Sequence, residues 1–101
     1  MQVVKLKKSM ETLSNTDPRT VGKRLFAART AHGLSQSELA RECGFSITAL
    51  SNWENGRQRP ALESAEKICQ LFDLTLDYLL LGKSETLKHS VFLHLRQDER
   101  S

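Results

Sequence analysis

The sequence predicts an all-α fold, a compact domain of five short helices, on three observations. Glycine falls just beyond four apolar-periodic runs, at Gly33, Gly44, Gly56 and Gly82, where a left-handed residue would stop a helix. The runs open on residues that cap helix N-termini, three of them with an apolar residue in front at staple spacing. Between the runs nothing alternates with the two-residue period of a strand.

The first helix is expected over 18–32, where Asp17 supplies an N-cap and Pro18 a pre-set first turn. Its periodic face is Val21, Leu25 and Ala28, and His32 beside Gly33 reads as a helix-terminal residue that complements the dipole. The second, over 36–43, opens on a capping box in which Ser35 and Glu38 satisfy each other's amides, and it carries Leu39, Ala40 and Cys43 inward. The third, over 47–55, follows the N-cap candidate Ser46 and turns Leu50 and Trp53 to the core. Pro60 fits the start of the fourth, over 61–73, with Leu62, Ala65, Ile68, Cys69 and Phe72 on one face. The fifth, over 76–81, follows Thr75 and offers Leu76, Leu79 and Leu80. Leu34 with Leu39, Phe45 with Leu50, and Leu74 with Leu79 each set an apolar residue before the cap against the fourth helical residue. Both cysteines lie on core faces, without C-x-x-C or ligand spacing to histidine, and read as small apolar fillers instead of a disulfide or metal site.

Only Gly44-Phe45-Ser46 separates the second and third helices, the length of the turn in a helix-turn-helix. A turn that short makes the helices cross steeply. Ala40 supplies a small residue where they touch, Gly44 the left-handed turn, and Leu39, Cys43, Phe45, Leu50 and Trp53 the apolar locks. The run GLSQSELARECGFSITALSNWENGRQRP, with E-N-G-R at Glu54–Arg57 and D-Y-L-L-L-G at the end of the fifth helix, resembles the lambda repressor/Cro-like, or Xre-type, helix-turn-helix domains. The similarity extends over about residues 19–82. It implies a lambda-repressor-like fold that binds double-stranded DNA with the third helix in the major groove. It also implies that Gln36 grips the DNA backbone while supporting that helix, and that Arg29 pairs with Glu54 to tie the scaffold to it.

With Leu50 and Trp53 inward, Thr48, Ser51, Asn52 and Asn55 project outward, Ser46 stands at the amino end, and Ile47 lies at the border with the core. A solvated helix face would carry Lys and Glu. Short amides and hydroxyls instead reach base edges without being held by phosphates, so Ser46, Ile47, Thr48, Ser51 and Asn52 are the expected base-reading set. Asn52 is a candidate for a bidentate contact to adenine. Gln36, Asn55, Arg57 and Arg59 are the expected phosphate contacts, since a loop after the reading helix runs beside the backbone. Arg19, Lys23 and Arg24 add positive potential without an assigned partner.

The chain has 101 residues and a net charge of +3, and the charge is unevenly spread. Residues 1–35 hold seven Lys/Arg against two acids, a balance of +5, whereas 61–82 hold one Lys against four acids, a balance of −3. No stretch approaches the roughly 18 apolar residues of a membrane span, so a cytoplasmic, nucleoid-associated protein is expected. No phosphate loop occurs, and His32, His89 and His94 lack carboxylate or cysteine neighbours in a catalytic pattern, so neither an enzyme nor a cofactor or metal is expected. The organisation reads as a flexible basic segment over 1–16, the DNA-binding domain over 17–82, and an extension over 83–101. Leu87, Val91, Phe92 and Leu95 of that extension form an apolar stripe at helical spacing that either caps the domain's own core or forms a dimer interface, while Val91, Leu93 and Leu95 would alternately suit a strand. A homodimeric transcriptional regulator on a palindromic operator, a repressor more than an activator, is the expected function. The alternative is an antitoxin-like module whose end segment binds a protein partner, a toxin or an anti-repressor, while the domain regulates its own promoter.

Overall fold

A computed structural model of the chain describes residues 13–84. The expectations for residues 1–12 and 85–101, including most of the flexible basic segment and the stripe from Leu87 to Leu95, lie outside the described residues. Five helices follow one another: α1 (Pro18–Ala31), α2 (Gln36–Cys43), α3 (Ile47–Glu54), α4 (Leu62–Phe72) and α5 (Leu76–Leu81). No strand occurs among the described residues.

The caps are formed as the residue types dictate. Asp17 accepts the Arg19 amide at 2.9 Å, Ser46 accepts Ala49 at 3.0 Å, and Thr75 accepts Tyr78 at 3.1 Å. The capping box of α2 is complete, Ser35 Oγ accepting the Glu38 amide at 3.1 Å and Glu38 Oε1 accepting the Ser35 amide at 2.8 Å. These bonds hold the Glu38 carboxyl below its ordinary value of 4.5. The helix α4 falls within one residue of the expected 61–73 at each end. It begins at Leu62 behind Ala61, with no side-chain cap, and it stops at Asp73, which takes the left-handed conformation (φ 57°) without being glycine.

Leu25, Leu39, Leu50, Ala65, Ile68, Phe72 and Leu79 make the buried centre, into which Trp53, Tyr78 and both free cysteines also pack. Leu62 was expected among them and is instead 59% exposed. It sits on the first residue of α4, beyond the reach of the helices that cover Ala65, Ile68 and Phe72, while Pro60 just before it is buried. At the end of α1, His32 caps the helix, its Nδ1 2.8 Å from the Ala28 carbonyl, and stacks on Phe72 with ring centroids 4.3 Å apart.

Two polar anchors complete the frame. Arg24, buried on α1, donates from Nε to the Leu79 carbonyl at 2.9 Å, so a cation meets the carboxyl end of the α5 backbone. Its Nη2 donates to the Asn15 carbonyl, and Arg59 Nε donates to the Thr16 carbonyl. Asn15 and Thr16, assigned from sequence to the segment 1–16, are thus bonded through their carbonyls to arginines of the domain. No helix among the described residues is long and apolar enough to cross a membrane. No group of three or more His, Cys, Asp or Glu among them is placed to hold a metal ion.

Candidate nucleic-acid interface

The third helix is held against the scaffold at two places. In the first, α1 comes so close that Gly22 leaves no room for a side chain. A Cβ there would stand well inside 3.0 Å of the Trp53 carbonyl oxygen and 2.9 Å from that of Glu54. The sequence reading assigned the close approach to Ala40 between α2 and α3, and Gly22 between α1 and α3 was not anticipated.

The second is the ion pair. Arg29 Nε donates to Glu54 Oε2 at 2.7 Å and Nη2 to Oε1 at 2.9 Å, a bidentate fork with side-chain exposures of only 10% and 4%. Nη1 of Arg29 donates to the Leu34 carbonyl at 2.8 Å, and Gln36 Nε2 donates to Glu54 Oε1 at 3.0 Å. The Glu54 carboxylate thus joins α1, the start of α2 and the end of α3, and Arg29 extends the junction to the turn before α2. The pairing that the family resemblance implied for Arg29 and Glu54 is present, and Gln36 sits beside it.

The outward face of α3 is assembled from short polar side chains. Ile47, left from sequence between core and surface, is 50% exposed. Ser46 and Thr48 are exposed, and Ser51 and Asn52 are half-buried. Ser46 Oγ is engaged in capping, so its O–H is what it offers outward. Asn55 Nδ2 donates to Ser51 Oγ at 3.2 Å along the helix.

Beyond Glu54 the chain closes a Schellman motif, Gly56 N–H to Trp53 O at 3.2 Å and Arg57 N–H to Asn52 O at 2.9 Å. Gly56 makes this turn at φ +78°, and a Cβ on it would lie 2.7 Å from Arg19 Cγ. The turn folds Arg57 back over α3, where Nη1 donates to Asn52 Oδ1 at 3.1 Å. Arg57 and Arg59 are both exposed, and Arg19 on α1 packs beside Gly56. Arg19 also forks onto Asp17 at 3.1 and 3.2 Å, which holds the Asp17 carboxyl below its ordinary value of 3.8. The structure therefore gathers Ser46, Ile47, Thr48, Ser51, Asn52, Asn55 and Arg57 on or beside one helix, with Gln36 at the head of α2 and Arg59 in the following loop. The bond from Arg57 to Asn52 was not foreseen, because it depends on the left-handed turn between them.

Comparison with known proteins agrees with this arrangement. A helix-turn-helix family model matches residues 25–79. The HTH-type transcriptional activator BcrR of Enterococcus faecalis is 40% identical over 60 residues, 59% of this chain and 29% of that protein. Antitoxin PezA of Streptococcus pneumoniae is 38% identical over 55 residues, 54% of this chain and 35% of that protein. The ImmF control region 10 kDa protein of Bacillus phage phi105 is 31% identical over 72 residues, 71% of this chain and 80% of that protein. The chain thus spans about a third of the activator and of the antitoxin, and most of the phage protein. None of the solved structures matches the chain. The match over 25–79, with the two short helices α2 and α3 crossing at a glycine turn, means that the chain belongs to the Cro/C1-type helix-turn-helix family.

Proposed function

We propose that this protein is a sequence-specific regulator of transcription, a repressor, that binds double-stranded DNA as a homodimer with α3 in the major groove of a palindromic operator. The observation that carries the reading is the outward face of α3. It is a face of short amides and hydroxyls on a helix locked to its scaffold by the Arg29–Glu54–Gln36 junction. Such a face is costly to hold rigid for solvent alone and is suited to base edges. Ser46, Ile47, Thr48, Ser51 and Asn52 read bases; Gln36, Asn55 and Arg59 take phosphates around them, and Arg57 stands at the end of the reading face. Two copies on half-sites about one helical turn, or roughly 34 Å, apart double the contact area of so small a module.

The likeness to an antitoxin supports a second reading, in which the same domain regulates a promoter and a flanking segment binds a protein partner. Selection of bound duplexes from a random DNA pool at physiological salt, with the mass of the protein in solution measured alongside, separates the two. A recovered palindrome bound by a dimer is expected. Enrichment of no sequence by a folded helical protein would overturn the regulator reading and favour the partner-binding one.

A further inference from the structure

The bond between Arg57 and Asn52 fixes which way the Asn52 amide faces. A guanidinium carries only N–H donors, so the amide atom 3.1 Å from Arg57 Nη1 must be the oxygen. The opposite orientation would set donor against donor. Oδ1 is thus turned toward Arg57, and Nδ2 is left as the prong with no partner among the described residues. Backbone geometry reinforces the couple, since the Arg57 amide is bonded to the Asn52 carbonyl through the Schellman turn at Gly56. The guanidinium is tethered at both its backbone and its tip, close to the one amide it orients.

The neighbouring hydroxyls are biased the same way. Ser46 Oγ accepts the Ala49 amide and Ser51 Oγ accepts Asn55 Nδ2, so each has an internal donor on its oxygen and an O–H left to give. At Ser46, Ser51 and Asn52 alike, the oxygen already holds one internal donor and an O–H or N–H is left to give. Adenine shows the major groove one acceptor, N7, and one donor, N6; guanine shows two acceptors, N7 and O6. A free asparagine matches adenine by using Oδ1 and Nδ2 together. With Arg57 already on Oδ1, adenine N6 would have to share that oxygen beside a guanidinium whose remaining N–H groups are donors like N6 itself, whereas both guanine atoms accept.

We propose that Arg57 and Asn52 act as one reading unit that selects guanine over adenine at one position of the operator half-site, with Arg57 the positioning residue that sets the polarity of Asn52. This rests on the proposed binding of α3 in the major groove. It makes Arg57 a determinant of sequence preference instead of a general phosphate contact.

The test is a binding panel at fixed salt with duplexes that carry each of the four base pairs at every position of the selected site. Wild type, Asn52→Ala, Arg57→Ala and Arg57→Gln are compared, each checked by thermal melting. Asn52→Ala identifies the position, as the one whose preference disappears. Wild type is expected to prefer guanine there, and both Arg57 variants are expected to lower the guanine-to-adenine ratio by about tenfold while leaving the other positions unchanged. A preference for adenine at that position overturns the proposal. So does a uniform loss of affinity in the Arg57 variants with the ratio preserved, which is the behaviour of a phosphate contact. Absence of any preference in wild type is a separate result that removes the major-groove reading and this proposal with it.

Discussion

Replacing Gly22 by alanine tests whether the position of α3 is set by backbone contact with α1. Taken alone, α1 would gain from the change, because glycine inside a helix costs about 0.5–1 kcal/mol relative to alanine. The structure predicts the opposite sign. The new methyl would meet two main-chain carbonyls, and restoring ordinary contact would move the Glu54 oxygen from 2.9 to 3.4 Å and the Trp53 oxygen further. Neither carbonyl can yield like the tip of a side chain, since both belong to the last turn of α3, with Leu50 and Trp53 buried beneath it. Overpacking of this kind costs about 1–3 kcal/mol, and a backbone obstacle falls toward the upper end. Less the gain in propensity, the net loss is about 1–2 kcal/mol, and at roughly 4–8 °C per kcal/mol for a domain of this size Tm falls by about 5–15 °C. Gly33→Ala is the control, because a Cβ there meets nothing within 4 Å and only the left-handed φ of +70° opposes it. Thermal melting by circular dichroism reads both. A Tm for Gly22→Ala equal to or above that of wild type would refute the reasoning, because propensity would then outweigh the contact.

Removal of the Glu54 carboxylate leaves the Arg29 guanidinium buried without its partner, and Gln36 without its acceptor. Glu54→Ala is expected to cost about 3–5 kcal/mol, a large share of the stability of a domain this small, and a chemical denaturation midpoint close to that of wild type would contradict it. Loss of DNA binding in that variant would follow from unfolding and would not identify a contact. The thiols give a prediction of reactivity. Burial raises both, and it pushes Cys69 from 9.0 up to about 11, which leaves about a hundredfold less thiolate near pH 8. Iodoacetamide labelling followed by mass spectrometry is therefore expected to be slow in the native protein and fast in denaturant, and rapid native labelling of Cys69 would contradict its burial.

How much of this was legible in the sequence follows the range of the interactions. Caps, staples and glycine stops act within a few residues, and the windows around Ser35, Ser46 and Thr75 contain all that decides them. The core stripes were legible for the same reason, except at Leu62, where periodicity continues to a helix end that the neighbouring helices do not reach. Gly22 and Arg24 were not legible. One exists for a carbonyl more than thirty residues away, and the other is buried only because the end of α5 returns to meet it. A pattern of apolar residues cannot announce a buried arginine whose partner is a distant main-chain oxygen. The Arg29–Glu54 pair, equally distant, was anticipated only through family resemblance. The membership of the α3 face followed from inward Leu50 and Trp53, but its hydrogen-bond polarity depends on a turn geometry that residue types alone do not fix.

Arg24 also decides where the flanking chain departs. It holds the Asn15 carbonyl and the last turn of α5, and a Cβ on Gly82 would stand 3.1 Å from both its Nη1 and Asn15 Cγ. The first and last residues of the domain therefore share one corner. Whatever is joined to the domain before Asn15 and after Gly82 is thus anchored at a common point, where proximity raises the effective concentration of one attached group for another. A weak affinity between two groups so anchored would be multiplied by the architecture of the domain, not by any added contact.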